Sequence, residues 1–162
     1  MGCDIHLYIE YSPEWTEDRN YYSSFARVSL GRNYTMFGIL AGVRNTSVPQ
    51  LFPQRGVPKN SPEYNYGDYV LYIQDEGEEH CCSRENADRW VKSGSSEYVD
   101  DEHKKITHPD WHSASWLTSE EFEECLVQYK LETGEEVPST YKAALAALKA
   151  LENSRAVFWF DN

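Results

Sequence analysis

Two polar side chains near the start of the chain have the types and the spacing to act together. Asp4 and His6 are two residues apart in a segment where apolar and polar residues alternate. Residues i and i+2 of a β-strand point to the same face, so we expect these side chains to be neighbours. Such a pair can supply two ligands to a divalent metal such as Zn²⁺ or Mn²⁺, or act as an acid/base pair. It can equally be a hydrogen-bonded pair that satisfies a buried polar patch.

Three arginines form a second group of candidate residues. Arg32, Arg44 and Arg55 lie in or beside residues 32–56. The chain has 15 Lys and Arg against 27 Asp and Glu, a formal net charge of −12, so its basic residues are scarce. Arginine suits bidentate contacts with phosphate or carboxylate groups, and a helix N-terminus near Arg32 would also favour an anion. The alternative is ordinary surface pairing with the many acids.

A third group is the segment 112–116, His-Ser-Ala-Ser-Trp, which is dense in hydrogen-bonding groups. A nucleobase can stack on Trp116 or on Tyr34, and the hydroxyl groups can bond ribose or phosphate. The alternative is a tight turn at the start of a helix, with Trp116 packed in the core. The serines lack a nucleophile-elbow pattern, which disfavours a serine hydrolase.

Length and composition limit the classes of protein. A chain of 162 residues corresponds to one domain. It contains no apolar run of about 20 residues that would span a bilayer, and its start has no basic region typical of a signal peptide. The net charge disfavours nucleic-acid polymers and anionic membranes as partners. Four cysteines without a secretion signal indicate free thiols and a cytoplasmic location.

The first half of the chain contains the elements that must position these groups. Strict alternation over residues 3–10 predicts a half-buried strand, and residues 25–30 predict a second one. Residues 32–45 predict a helix with Asn33 as its N-cap, in which the glycines allow close backbone approach. Four prolines in residues 46–68 predict a long loop.

The middle of the chain is predicted to be peripheral. Residues 69–74 read as a short strand, residues 75–79 as an acidic turn, and Ser83 as the cap of a short helix. We therefore expect a single domain over residues 1–162 with a peripheral insertion at about 69–105.

The last third predicts two helices and a buried strand. Thr118 and Glu121 fit a capping box, Gly134 ends that helix, and Pro138 suits the start of the next. Residues 155–160 form an apolar run rich in β-formers. Together the elements predict an α+β fold, with a small mixed or antiparallel sheet that contains the N- and C-terminal strands and packs against three to four helices.

Several segments together resemble a family of small phage and prophage proteins. They occur across the whole chain, and residues 65–105 fall outside the resemblance. The segments are MGCDIHLYIE (1–10), RNYTMFGILAGVRN (32–45), QRGVP (54–58), HSASWLT (112–118) and RAVFWFDN (155–162). The resemblance implies a protein made in the cytoplasm of an infected bacterium. Small phage proteins often counter host immunity by sequestering or cleaving nucleotide signals such as cyclic ADP-ribose isomers or cyclic oligonucleotides.

The leading hypothesis is therefore a counter-defence protein that binds and sequesters a small nucleotide immune signal without a cofactor. In this hypothesis the arginines contact phosphates, the aromatic residues stack a base, and the remaining groups bond ribose or base edges. The predicted ligand-binding residues are Asp4, His6, Arg32, Asn33, Tyr34, Arg44, Arg55, His112, Ser113, Ser115 and Trp116.

Two alternatives stay open at this point. In a metal-dependent hydrolase or phosphodiesterase that cleaves such a nucleotide, Asp4 and His6 would ligate Zn²⁺ or Mn²⁺, or serve as base and acid, with His112 as the complementary acid. In an acidic inhibitor of a host enzyme, the negative surface would be the binding element. A homo-oligomer that builds the pocket across subunits is compatible with either small-ligand hypothesis.

Overall fold

The computed structural model describes residues 2–74 and 78–162, so the acidic turn predicted at 75–79 lies partly outside the described residues. The chain divides into two compact units, Met1–Ser61 with Ser113–Asn162 and, inserted between them, Pro62–His112. The elements of the first unit are β1 (Ile5–Tyr11), β2 (Ser23–Val28), α1 (Tyr34–Ala41), β6 (Trp111–Thr118, which begins just before the boundary), α4 (Ser119–Thr133), α5 (Ser139–Ala150) and β7 (Arg155–Asp161). Those of the second unit are α2 (Glu63–Gly67), β3 (Val70–Ile73), β4 (Cys81–Cys82), α3 (Arg84–Ser93) and β5 (Lys105–Thr107).

The first unit is built on a four-stranded sheet in the order β2-β1-β7-β6. Strand β1 pairs antiparallel with β7, with Ile5 opposite Phe160, and antiparallel with β2 on its other side. The prediction that one sheet contains both terminal strands is confirmed, as is the α+β fold. Because the chain ends pair with each other, polar side chains from positions 4–6 and 159–162 meet at one end of the sheet.

One face of this sheet carries the main hydrophobic core. Alternate residues of β1 and β7, such as Leu7 and Phe158, are fully buried, and Phe37, Phe122 and Tyr141 from helices α1, α4 and α5 belong to the same core. Burying a side chain of this size contributes about 1.5–3 kcal/mol. The three helices therefore fix the inner face of the sheet.

Local signals explain where α1 begins and ends. The Asn33 side chain accepts a hydrogen bond from Met36 N at 3.0 Å, as the N-cap prediction requires. Gly42 ends the helix in the left-handed region at φ 69°. A Cβ on Gly38 would lie 2.3 Å from the carbonyl oxygen of Asn45, so the predicted close backbone approach is confirmed there.

The segment 112–116 corrects one of its two sequence interpretations. It belongs to strand β6, beside β7, rather than to a turn at the start of a helix. Pairing in the sheet overrides its weak local pattern. Thr118 ends the strand and caps α4, and the capping box with Glu121 is formed as predicted. Gly134, at φ 69°, ends that helix.

A buried ion pair crosses the sheet on its other face. Glu10 and Arg155 are opposite each other on β1 and β7, and their side chains are 0% and 7% exposed. Arg155 Nε donates to Glu10 Oε2 at 2.8 Å, and its guanidinium carbon lies 3.6 Å from the centre of the Tyr22 ring. Ser61 donates to the other carboxylate oxygen of Glu10. Both charges are thus compensated within the interior.

The second unit contains a three-stranded sheet in the order β4-β3-β5, with a small core of Leu71, Cys82, Ala87 and Ile106. Ser83 caps α3 as predicted. The predicted loop over 46–68 is wrong at its end, because α2 forms there directly after Pro62. Residues 62–112 contain 13 acidic and 5 basic residues, so this unit accounts for −8 of the net charge of −12. Among the described residues, no helix is long and apolar enough to cross a membrane.

Candidate functional site

A cluster of polar residues forms where β1 begins and β7 ends. The contacts run from Arg27 through His6 to Asp161, and from Asp161 through the backbone of Asp4 to Arg32. Arg44 joins it through the last residue of the chain. We call these residues the terminal cluster: Asp4, His6, Arg27, Arg32, Arg44, Asp161 and Asn162.

His6 is clamped between two charged groups. Its Nε2 lies 2.7 Å from Asp161 Oδ2, and Arg27 Nη2 lies 3.0 Å from its Nδ1. A guanidinium only donates hydrogen bonds, so Nδ1 must accept. Nε2 then carries the proton that is donated to Asp161, which defines a neutral imidazole. The lone pair that a general base would use is therefore directed at Arg27.

Asp4 holds Arg32 in a two-point contact. Arg32 Nε and Nη2 donate to the two carboxylate oxygens of Asp4 at 2.6 and 2.8 Å. These bonds lower the pKa of Asp4 and raise that of Arg32, so both groups are ionised at neutral pH. A Cβ on Gly2 would lie 2.3 Å from Arg32 Nη1, so the guanidinium rests directly against the backbone of Gly2. The guanidinium is oriented although the side chain is 56% exposed.

Arg44 is positioned by the other end of α1. It follows the Gly42 cap, has a φ of 63°, and donates from Nη2 to Asn162 Oδ1 at 3.1 Å. Cys3 is close enough for Arg44 to act on its thiol, but burial dominates and raises the pKa of Cys3. Cys3 is fully buried in the main core, as its position on the apolar face of β1 predicts.

Among the side chains of the terminal cluster, arginines outnumber carboxylates. The cluster contains three arginines, two carboxylates and one neutral histidine, in a chain of net charge −12. Tyr34, at the first position of α1, is 41% exposed and close enough to Arg32 to affect its pKa. An exposed aromatic ring beside oriented guanidinium groups can bind a base and a phosphate together.

Arg55 belongs to a different group of residues. Its guanidinium donates twice to the Glu121 carboxylate, at 2.6 Å each, and lies 4.8 Å from the centre of the Trp116 ring. Its backbone N–H donates to Ser115 Oγ at 3.1 Å. The structure therefore brings three predicted binding residues together with an acid that the sequence assigned only to a helix cap.

The ion pair between Arg55 and Glu121 should make the free energy of unfolding depend on pH. Arg55 is the main cause of the lowered pKa of Glu121. The pair therefore stabilises the fold fully when the pH is above the ordinary pKa of glutamate, and this stabilisation is lost as the pH falls through the lowered pKa. We expect Glu121→Gln to reduce the free energy of unfolding by about 1.5–3 kcal/mol at pH 7. The difference from wild type should shrink below about pH 4 in urea unfolding followed over pH.

Glu136→Gln is the matched control. Lys130 and Lys142 lower the pKa of Glu136 too, but that side chain is 71% exposed. Water screens such a pair, so its pH-dependent difference should be smaller. A difference in the free energy of unfolding between wild type and Glu121→Gln that stays constant from pH 7 to pH 3 would contradict an ionic role for Glu121.

The remaining predicted residues have distinct positions. Asn33 uses its side-chain oxygen to cap α1. His112 and Ser113 are half-buried on β6, which lies beside β7 in the sheet. Ser113 adopts a φ of 56°, so the strand backbone is irregular at that point.

The metal-ligand interpretation has little geometric support. Asp4 is engaged by Arg32, and both ring nitrogens of His6 are engaged by Asp161 and Arg27. Within residues 2–74 and 78–162, no group of three or more His, Cys, Asp or Glu residues could hold a metal ion. The cluster's chemistry is that of oriented hydrogen-bond donors.

Sequence reasoning omitted three members of the terminal cluster from the binding residues: Arg27, Asp161 and Asn162. Asp161 was recognisable only as an acid available near a strand end. The usable signal is the pairing of the terminal strands, since Ile5 opposite Phe160 places Asp161 one pair further along. Arg27 could be found in the same way, because it lies on β2 opposite Tyr8 of β1.

The fold and the cluster define an α+β protein with a polar, arginine-rich site at the paired ends of its terminal strands. Comparison with family models, with curated proteins and with solved structures finds no match to the chain. A functional conclusion must therefore come from the chemistry of the site.

Proposed function

We propose that the protein binds a small phosphorylated ligand of the nucleotide type at the terminal cluster and sequesters it. The observation that carries this proposal is the orientation of Arg32 and Arg44 by Asp4 and Asn162, which lie at the two ends of the chain. An arginine already fixed by a neighbour loses less side-chain entropy when a ligand arrives.

The charge balance favours a small anion over a polymer. Arg27, Arg32 and Arg44 outnumber Asp4 and Asp161 locally, whereas the molecule as a whole is strongly negative. A long nucleic acid would meet repulsion beyond the site. A compact di- or triphosphate-sized group would lie against the arginines without extending over the acidic surface beyond the site.

The donor count supports phosphate as the recognised group. The Asp4 contact uses two of the five N–H donors of the Arg32 guanidinium. The Arg32 side chain is 56% exposed, so phosphate oxygens of a ligand can reach its guanidinium. Tyr34 offers a ring beside Arg32 on which a base can stack.

The state of His6 favours binding over turnover. Its Nδ1 lone pair is directed at Arg27, and its Nε2 proton is donated to Asp161. A general base must have an open lone pair within reach of the proton it takes. His6 therefore orients Arg27 in this proposal.

A hydrolase is the second candidate, because an imidazole supported by a carboxylate at 2.7 Å is a common acid/base arrangement. It requires Arg27 to leave Nδ1 when substrate binds. The resemblance to phage proteins gives both candidates the same context. In it the ligand is a nucleotide immune signal of the host, and the protein removes that signal during infection.

One experiment separates the two candidates. The protein is incubated with cyclic ADP-ribose and, separately, with a cyclic dinucleotide, freed of unbound ligand by rapid filtration, and then heat-denatured. We expect intact ligand to be recovered in about one equivalent per protein or per subunit pair, as measured by mass spectrometry. A new product that increases with time would establish the hydrolase. The absence of retained ligand, together with no protection of the protein by pyrophosphate against thermal unfolding, would contradict both candidates.

A further inference from the structure

We infer that the exposed face of helix α4 is a docking site for a basic amphipathic helix of another protein. This face lies on the first unit and shares no residue with the terminal cluster. It consists of an apolar stripe flanked by carboxylates, which is the complement of a helix with leucine-like residues on one side and lysines beside them.

The apolar part is unusual for a surface helix. Val127 and Leu131 are 56% and 73% exposed. They are four residues apart on a 15-residue helix, so they form one stripe along its outer face. Single exposed apolar residues need no explanation, but an adjacent pair beside a groove is typical of a binding surface.

A groove runs beside this stripe. The volume of this groove is about 530 Å³. Leu51 and Val127 supply its apolar lining. Its residues are Leu51, Glu120, Glu123, Glu124, Val127 and Gln128.

The charges around the groove select the partner. Glu120 and Glu124 lie on the same stripe as Val127 and Leu131, at positions i, i+4, i+7 and i+11. Hydrogen bonds at the start of the helix lower the pKa of Glu120, so it is ionised. Glu123 already binds one ammonium group, that of Lys149, at 2.5 Å. A lysine of a partner can bind its neighbours in the same way.

The same charges disfavour other occupants. A second copy would bring further carboxylates to a face that already carries Glu120, Glu123 and Glu124, on a chain of net charge −12, which is repulsive. An anionic membrane surface would be repelled for the same reason. A basic amphipathic helix satisfies both the apolar stripe and the carboxylates.

The test uses three synthetic 14-residue peptides with a fluorescent label: an amphipathic helix of Leu and Lys, a scramble of the same residues, and an amphipathic helix of Leu and Glu. We expect the first to bind at least about tenfold more tightly than the others, with affinity falling as salt rises. The variant Val127→Ser/Leu131→Ser should weaken binding at least tenfold, and Glu124→Gln severalfold.

Phe25→Ser is the matched control, since Phe25 is 55% exposed on strand β2, away from α4. It should leave peptide binding unchanged, and all variants should keep the wild-type melting temperature because the substituted residues are exposed. Equal binding of the scrambled peptide, or binding that survives the double substitution, would overturn the inference. Self-association that the double substitution abolishes would overturn it in favour of a second copy.

Discussion

Replacement of Arg155 by Met is expected to lower the free energy of unfolding by about 3–5 kcal/mol, the usual cost of leaving a buried charge without its partner. Glu10 is fully buried and accepts its main hydrogen bond from Arg155. Without the guanidinium, the charge-assisted hydrogen bond to Glu10 Oε2 is lost, while Ser61 still donates to the other carboxylate oxygen. For a domain of this size the loss corresponds to a fall in melting temperature of about 6–20 °C.

The double variant Glu10→Gln/Arg155→Met separates the pair from the packing around it. It leaves no uncompensated charge, so we expect it to recover a large part of the stability lost in Arg155→Met. Arg19→Met is the control, because Arg19 is 57% exposed and its contact with Glu152 is 3.8 Å long. It should change stability by less than about 0.5 kcal/mol in urea unfolding. A double variant no more stable than Arg155→Met would show that the guanidinium acts through packing on Tyr22.

Replacement of Arg32 by Gln is expected to weaken the binding of pyrophosphate, the minimal probe, by at least about tenfold, since a charge-assisted hydrogen bond contributes about 1.5–3 kcal/mol. The substitution also leaves the Asp4 carboxylate facing the anion. Combining it with Arg44→Gln should bring the loss to about 100-fold or more, as measured by calorimetry. Both side chains are exposed, so the melting temperature without ligand should change little.

Two further variants make this result specific. Arg32→Lys keeps the charge but loses the two-point contact with Asp4, so its affinity should be intermediate. Arg19→Gln removes an equally exposed arginine whose ion-pair partner is Glu152 rather than a member of the cluster, so its affinity should equal that of wild type. Equal weakening by Arg19→Gln and Arg32→Gln would reduce the effect to net charge and contradict a defined site.

The parts of the fold that are governed by local chemistry could be predicted from the sequence. Alternation defines β1, Asn33 and Thr118 cap their helices, and Gly42 and Gly134 end them. Strand β6 could not be predicted, because its donors and acceptors resemble a turn until β7 is placed beside it. Helix α2 was likewise hidden by the prolines that precede it.

The candidate site was predicted only in part, for a related reason. The shared face of Asp4 and His6 follows from strand periodicity, but their partners come from residues 28 and 155 positions away. Arg55 illustrates the limit most clearly, since its partner Glu121 is 66 residues away. Residue type indicated an anion site for all three predicted arginines, and only tertiary pairing separates Arg55 from the others.

The most direct test of the proposed site is the NMR signal of the arginine side chains. Nε–Hε resonances report individual guanidinium groups, so they can be followed as pyrophosphate and then cyclic ADP-ribose are added. We predict that the signals of Arg27, Arg32 and Arg44 shift with a common saturation curve, whereas those of Arg19 and Arg89 stay in place. Saturable binding that shifts other arginines and leaves those of the terminal cluster unchanged would contradict the account.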